Sequence, residues 1–485
     1  MTQQELEKYL WGAATALRGT IDAGDYKQYI FPLLFFKRIC DVYDEEFQLA
    51  LTESEGDLEY AAFAENHRFV IPEGAHWKDV RETTTNVGMA IQHAMREIEK
   101  ANPDTLEGIF GDASWTNKNR LSDATLINLI EHFSQQVLSL ANVADDKLGN
   151  AYEYLIKEFA DDSGHTAAEF YTNRTVVKLM TKIMDPQPGE SVYDPTCGSG
   201  GLLLNCALHL KDEGKEYRNL KLYGQEINLI TSAIARMNMF MHGIEEFKIV
   251  RGDTLAEPGL LENDQLKTFN VILANPPYSI KSWNRDAFVN DPWGRNIWGL
   301  PPQGCADYAF QQHIQKSLDK SNGRSISLWP HGILFRDSEA EMRRKMIASD
   351  VVEAVIGLGP NLFYNSPMEA CLLITNNNKP AHKKDKILII NAVKDVKQEK
   401  SISFLEKEHI DKIYTAYKNF KPIEGYAVVV NKEDVLERKA SLNIAQYVSN
   451  VETKNEEISL ESALQNWEQT SNALSQSMNA LLGIK

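Results

Sequence analysis

From about residue 165 the chain alternates short apolar strands with helical patterns, and that alternation limits its possible folds more than any other feature. Candidate strands cover 191–194, 221–226, 247–253, 270–275, 325–329, 352–358 and 370–375. Helical repeats between most of them predict crossover connections, and hence a doubly wound, mostly parallel sheet. Only residues 359–369 join the last two strands. That is too short for a crossover helix, so this pair is expected to be antiparallel.

Open sheets of this kind bind ligands outside the carboxyl ends of their strands, and four successive strands end in polar signals. The first ends at Asp194 and runs through Pro195-Thr196-Cys197 into Gly198-Ser199-Gly200-Gly201, before an apolar helix over 202–210. Glycines at such a turn let the backbone approach a ligand closely. Their spacing is not the dinucleotide fingerprint Gly-x-Gly-x-x-Gly. The second strand ends at Glu226, where a carboxylate can accept both hydroxyls of a ribose. The third ends at Asp253, placed to accept from an adenine amino group. Upstream, Glu169-Phe170-Tyr171-Thr172-Asn173-Arg174 opens a helical pattern over 175–184. A Thr or Asn cap there would offer backbone N–H groups to a carboxylate.

The fourth strand runs into Asn275-Pro276-Pro277-Tyr278. A planar exocyclic amine is a poor nucleophile, because its lone pair is delocalised into the group beside it. An asparagine oxygen and a carbonyl on a stiff Pro-Pro backbone can both accept its hydrogens and draw electron density onto nitrogen. The prolines fix φ and remove two donors, which keeps the carbonyls aimed. A tyrosine supplies a flat face for a substrate ring. Pro-Pro can also do no more than stop a strand, so the neighbouring strand ends carry part of the assignment.

Residues 1 to about 150 read as helical. Leu6, Leu10, Ala13 and Leu17 fall at helical spacing, residues 29–38 form an apolar helix with Pro32 in its first turn, and Leu126, Leu129, Ile130 and Phe133 mark another over 123–141. After 376 a polar linker, Asn376-Asn377-Asn378-Lys379-Pro380, precedes a mixed tail. Near the end Leu460, Leu464, Trp467, Ser471, Leu474, Met478 and Leu481 form a heptad seam that needs a packing partner. Three regions follow: 1–150, 151–400 and 401–485. The chain has 485 residues, a net charge of −17 and five scattered cysteines without a Cys-x-x-Cys pair. The cysteines point to a reducing cytoplasm and to no metal site. No apolar run reaches the roughly 18 residues of a membrane span. The acidity argues against an unaided grip on nucleic acid.

Together these residues resemble the modification subunit of type I restriction–modification systems, an N6-adenine DNA methyltransferase. The likeness takes in Leu10-Trp11-Gly12, 31–38, Ala168-Glu169-Phe170-Tyr171-Thr172, 194–203 and Asn275-Pro276-Pro277-Tyr278. It continues through Ala306-Asp307-Tyr308-Ala309-Phe310, 330–336 and Asn361-Leu362-Phe363-Tyr364. The resemblance implies a Rossmann-like methyltransferase domain between a helical N-terminal domain and a helical tail. It implies an S-adenosyl-L-methionine site formed by Glu169 to Arg174, Asp194, Gly198 to Gly201, Glu226 and Asp253. Asn275 and the Pro276 carbonyl would hold the target amine of a flipped-out adenine, with Tyr278 stacked on the base. It further implies double-stranded DNA as substrate, a specificity subunit serving two modification subunits, and a restriction subunit. The heptad seam would dock on the specificity subunit. Departures are Asn173, where relatives often carry proline, and Thr196-Cys197, where alanines are common. Methylation of a protein glutamine or an RNA amine suits the same tetrapeptide, and a non-catalytic assembly or DNA-clamp role is a rival of another kind.

Overall fold

The computed structural model describes residues 1–162, 172–362, 368–399, 402–448, 464, 467, 470 and 471. Its centre is a nine-stranded sheet built from β1 (Ser191–Asp194), β2 (Lys221–Glu226), β3 (Phe247–Arg251), β4 (Val271–Ala274), β5 (Arg324–Pro330), β6 (Val352–Leu358), β7 (Ala370–Asn376), β8 (Lys386–Ala392) and β9 (Ala427–Asn431). The spatial order is β9-β8-β6-β7-β5-β4-β1-β2-β3. Strands β3, β2, β1, β4 and β5 are mutually parallel. β7 inserts between β5 and β6 and runs antiparallel to both, as the short 359–369 connection requires.

The sheet extends past Thr375, where a linker was expected. β8 pairs parallel to β6, and β9 closes the edge antiparallel to β8. The polar stretch between β7 and β8 is pinned down, because Lys379 sends Nζ to Asp350, 2.6 Å, and to the carbonyls of Val352 and Lys386. The boundary expected at 400 therefore falls inside one structural unit. The heptad seam lies outside the described residues except at Leu464, Trp467 and Ser471, which are helical, with Leu464 and Trp467 exposed.

Both faces of the sheet are covered. Val192, Val271, Leu273, Ile326 and Leu328 pack under α6 (Arg174–Met184), α7 (Gly201–Asp212) and α11 (Lys407–Asn419). On the opposite face Tyr193, Ile272 and Ala274 meet Ile314 of α9 (Asp307–Lys316). Val355 and Leu373 on that face pack with Met342 and Met346 of α10 (Ala340–Ala348).

The helical domain contains α1 (Gln3–Ala16), α2 (Lys27–Glu53), α3 (Val87–Ala101), α4 (Asp123–Phe133) and α5 (Asp145–Asp162). Thr2 and Glu5 form a capping box that starts α1. α2 begins at Lys27, so Pro32 sits in its second turn rather than its first, inside the buried run Tyr29–Val42. α4 stops at Phe133, short of the expected 141, with Ser134 as its C-cap. The domain is fused to the sheet through α8 (Leu229–Met241). Ile234, Met237 and Met241 of α8 join the helical core, while Ala235 and Met239 join the sheet core.

Because α8 serves both cores, Ile234→Ala should cost about 2–5 kcal/mol through the cavity it leaves. Urea unfolding followed by tryptophan fluorescence, to which Trp77 and Trp115 of the helical domain and Trp298 and Trp329 of the sheet unit all contribute, and by circular dichroism should show one transition shifted to lower urea.

Candidate functional site

The polar strand ends meet along one edge of the sheet. β1 contacts β2 on one side and β4 on the other, so the switch point of the sheet lies between Asp194 and Asn275. Gly198 and Gly200 take φ of +53° and +81°, where a side chain would be strained. Gly200 is the N-cap of α7. A Cβ at Gly201 would overlap the Arg174 guanidinium, which is why the chain narrows to glycine there. Arg174 itself pairs with Glu153 at 2.5 Å.

Glu226 fixes the loop from the neighbouring strand. Its Oε2 accepts from the Gly198 N–H at 3.0 Å, and its Oε1 from the Asn228 N–H at 2.9 Å. The Cys197 N–H donates to the Gln225 carbonyl, 2.9 Å, and the Asn238 amide donates to the Ser199 carbonyl, 3.0 Å. Burial pushes the Cys197 thiol far above its usual range, so it packs as a small apolar group against Gly224. Asp194 is 1% exposed. Burial first, with the Glu226 charge adding and a hydrogen bond from the Thr196 N–H opposing, pushes its carboxyl up to about 8.

Asp253 accepts from the Leu255 and Ala256 N–H groups at 2.9 and 3.2 Å, an Asx turn that opens the loop after β3. Thr254 ties this loop to the first, its hydroxyl donating to the Pro195 carbonyl at 2.5 Å. Arg295 holds it from outside. Its Nη1 and Nη2 donate to the Thr254 and Leu255 carbonyls, both at 2.8 Å, and its Nη2 reaches Asp291 at 2.7 Å. Both side chains of that ion pair are almost fully buried. Ile227, directly after Glu226, leaves 60% of its surface exposed and forms an apolar rim beside the carboxylate.

The tetrapeptide Asn275 to Tyr278 leaves β4 at this edge. Asn275 donates through Nδ2 to the Thr172 hydroxyl at 3.0 Å, and the Tyr278 hydroxyl donates to Asn275 Oδ1. The first bond joins the segment before α6 to the tetrapeptide. Burial, with Cys371 and Asp307 adding, holds the Tyr278 hydroxyl protonated far above the phenol range. Asn173 caps α6 by accepting from the Thr175 N–H, 3.0 Å, and its amide donates to the Ser403 carbonyl. The side chain of Asn173 is therefore spent on the helix and the chain beyond 400. Asp194, Gly198 to Gly201, Glu226 and Asp253 stand on contiguous strand ends, with Thr172 to Arg174 and Asn275 to Tyr278 beside them. Glu169, Phe170 and Tyr171 lie outside the described residues.

Sequence reasoning missed Arg295, Gln225 and Asn238. Gln225 is fully buried and accepts from the Gly259 N–H at 3.0 Å while donating to the Glu257 carbonyl. Only Gln225 had a local signal, as a polar side chain inside an apolar strand.

The family described as N-6 DNA Methylase matches residues 143–456, and the one described as HsdM N-terminal domain matches residues 6–133. The type I restriction enzyme MjaVIII methylase subunit of Methanocaldococcus jannaschii is 32% identical over 462 residues, covering 88% of this chain and 75% of that protein. The MpnII methylase subunit of Mycoplasma pneumoniae is 29% identical, covering 94% and 91%. The solved type I restriction–modification methyltransferase subunit of Streptococcus thermophilus superposes with a TM-score of 0.79 at 30% identity, covering 92% of this chain and 100% of that one.

Arg295→Met leaves Asp291 buried without its cation, and should lower stability by about 3–5 kcal/mol. Replacing both residues with apolar side chains should recover much of that loss, as read by thermal melting.

Proposed function

The chain belongs to the N-6 DNA methylase family as a type I restriction–modification methylase subunit, and on that premise we propose how its strand-edge residues carry out methyl transfer to adenine N6 in DNA. The observation that carries the reading is the Asn275–Thr172 hydrogen bond, which sets the acceptor tetrapeptide against the donor segment. The family does not favour the protein-glutamine, RNA-amine or scaffold alternatives.

The donor side suits S-adenosyl-L-methionine by its charge. A buried carboxyl pushed up to about 8, beside a second carboxylate, marks a place short of positive charge. A ligand carrying an ammonium and a sulfonium supplies it. When bound, that ligand presents an electrophilic methyl group. Asp194 would face its cationic part, Glu226 would accept from ribose hydroxyls, and Asp253 would accept from the adenine amine. Gly198, Gly200 and Gly201 would let that loop approach the ligand closely. Thr172 to Arg174 would stand at the methionine end.

On the acceptor side Asn275 Oδ1 and the Pro276 carbonyl accept the two N6 hydrogens. This pulls the nitrogen lone pair out of the ring and aims it at the donor. The Tyr278 hydroxyl now donates to that same oxygen, so it must yield the position when the amine arrives. Its ring then stacks on the base, which leaves the duplex to reach the site. Among the described residues no helix is long and apolar enough to cross a membrane. The subunit works with specificity and restriction subunits on duplex DNA in the cytoplasm, two copies to each specificity subunit.

The chain co-purified with its specificity subunit should place labelled methyl on adenine N6 of duplex DNA. Asn275→Ala should cut that rate about 10²–10³-fold with donor affinity by calorimetry unchanged; near-normal transfer would sink the assignment. Tyr278→Ala should weaken capture of the flipped base more than Tyr278→Phe, whose ring still stacks. Donor binding should also depend on pH. Below about 8 the free Asp194 carboxyl keeps its proton, and a cationic ligand must expel it. The donor Kd should therefore rise as pH falls, approaching about tenfold per pH unit for one linked proton, and Asp194→Asn should flatten the profile.

A further inference from the structure

Directly after the tetrapeptide, Ser279 takes φ of +52°, a left-handed conformation that residues other than glycine avoid. Its N–H donates to Asp307 Oδ1 at 2.7 Å. Asp307 is fully buried and begins α9. Its other oxygen accepts from Arg336 Nη2, while Arg336 Nε donates to Glu339 at 2.8 Å. Glu339 is also fully buried. One guanidinium thus spans two buried carboxylates, and with its plane fixed at both ends Asp307 has no freedom to follow Ser279 elsewhere.

One turn along α9, Gln311 accepts from the Trp329 indole at 3.1 Å. The Trp329 ring centre lies 6.3 Å from that of Tyr278. The same helix therefore sets both the wall behind Tyr278 and the backbone that follows it. Cys305, Asp307 and Glu339 are close enough to hold a metal ion, but Arg336 already supplies the positive charge between the two carboxylates.

We propose that Asp307, locked by Arg336, is a positioning residue for methyl transfer: it holds Ser279 in the left-handed conformation and so fixes the Tyr278 ring on which the target base stacks. The proposal rests on the reading of Tyr278 as the base platform. A shift of about an ångström in such a platform slows transfer by up to about a hundredfold, without touching the donor loops.

Ser279 is exposed, so substitutions there leave the core intact. In the chain co-purified with its specificity subunit, Ser279→Val should lower kcat at least tenfold, because a β-branched side chain resists φ near +50°. Donor affinity should stay unchanged, and the melting temperature should fall by no more than the few degrees that the backbone strain costs. Asp307→Ala should lower kcat further and also lower the melting temperature. Adding Ser279→Gly to Asp307→Ala should restore most of kcat but none of the melting temperature, since glycine adopts the conformation unaided. A purely structural Asp307 predicts no such rescue. Full activity in Ser279→Val, or no recovery in the double variant, overturns the proposal. If Asp307→Ala fails to fold, Ser279→Val decides alone. Normal transfer by Asn275→Ala in the same assay would instead overturn the underlying reading of the tetrapeptide.

Discussion

A sheet covered by helices on both faces can offer a ligand nothing but the ends of its strands. In this chain that constraint organises everything else. β4 and β6 are buried along their whole lengths, so no polar side chain within them can serve chemistry. The groups we propose as functional sit where strands give way to loops, at Asp194, Glu226, Asp253 and Asn275. Their spacing comes from the strand order β3-β2-β1-β4. The loops are then joined by hydrogen bonds to one another, as in Glu226 to Gly198 and Thr254 to Pro195.

The helical domain is welded to this scaffold through α8 and carries most of the acidity. Residues 1–162 hold 29 of the 68 Asp and Glu but only 14 of the 51 Lys and Arg. The remaining 323 residues are close to neutral. The low overall charge is thus a property of one domain.

Most of the sheet was legible because strand apolarity and strand-end chemistry are local in sequence. Seven of the nine strands in the sheet, and the parallel and antiparallel relations among them, follow from run lengths and connection lengths alone. β8 and β9 were missed because the polar Asn376–Pro380 stretch resembles a linker. It is polar because Lys379 has carbonyls and a carboxylate to satisfy. Arg295 escaped notice, and the role of Asp307 went unread, for a different reason. An ionisable residue in a loop or at a helix start looks solvated until its distant partners are known, and the Thr254 carbonyl that Arg295 holds and the Ser279 N–H that Asp307 holds lie 41 and 28 positions away. The boundaries of α2 and α4 differed from expectation because tertiary burial decides where a helix stops more than local pattern does.

The insertion of β7 between β5 and β6 has a consequence for how the molecule comes into being. The four strands that carry the site are complete once Ala274 has been made, yet β4 still lacks its outer neighbour. β5 reaches β6 only through a strand that follows both in sequence, so half the sheet waits for Asn376 to leave the ribosome. Pairings of that span close slowly and leave strand edges bare meanwhile. The helical domain, finished first and fused to α8, is placed to hold the nascent donor half together during the wait. The order of synthesis therefore completes the strand ends at Asp194, Glu226, Asp253 and Asn275 before the sheet beyond β5 can form.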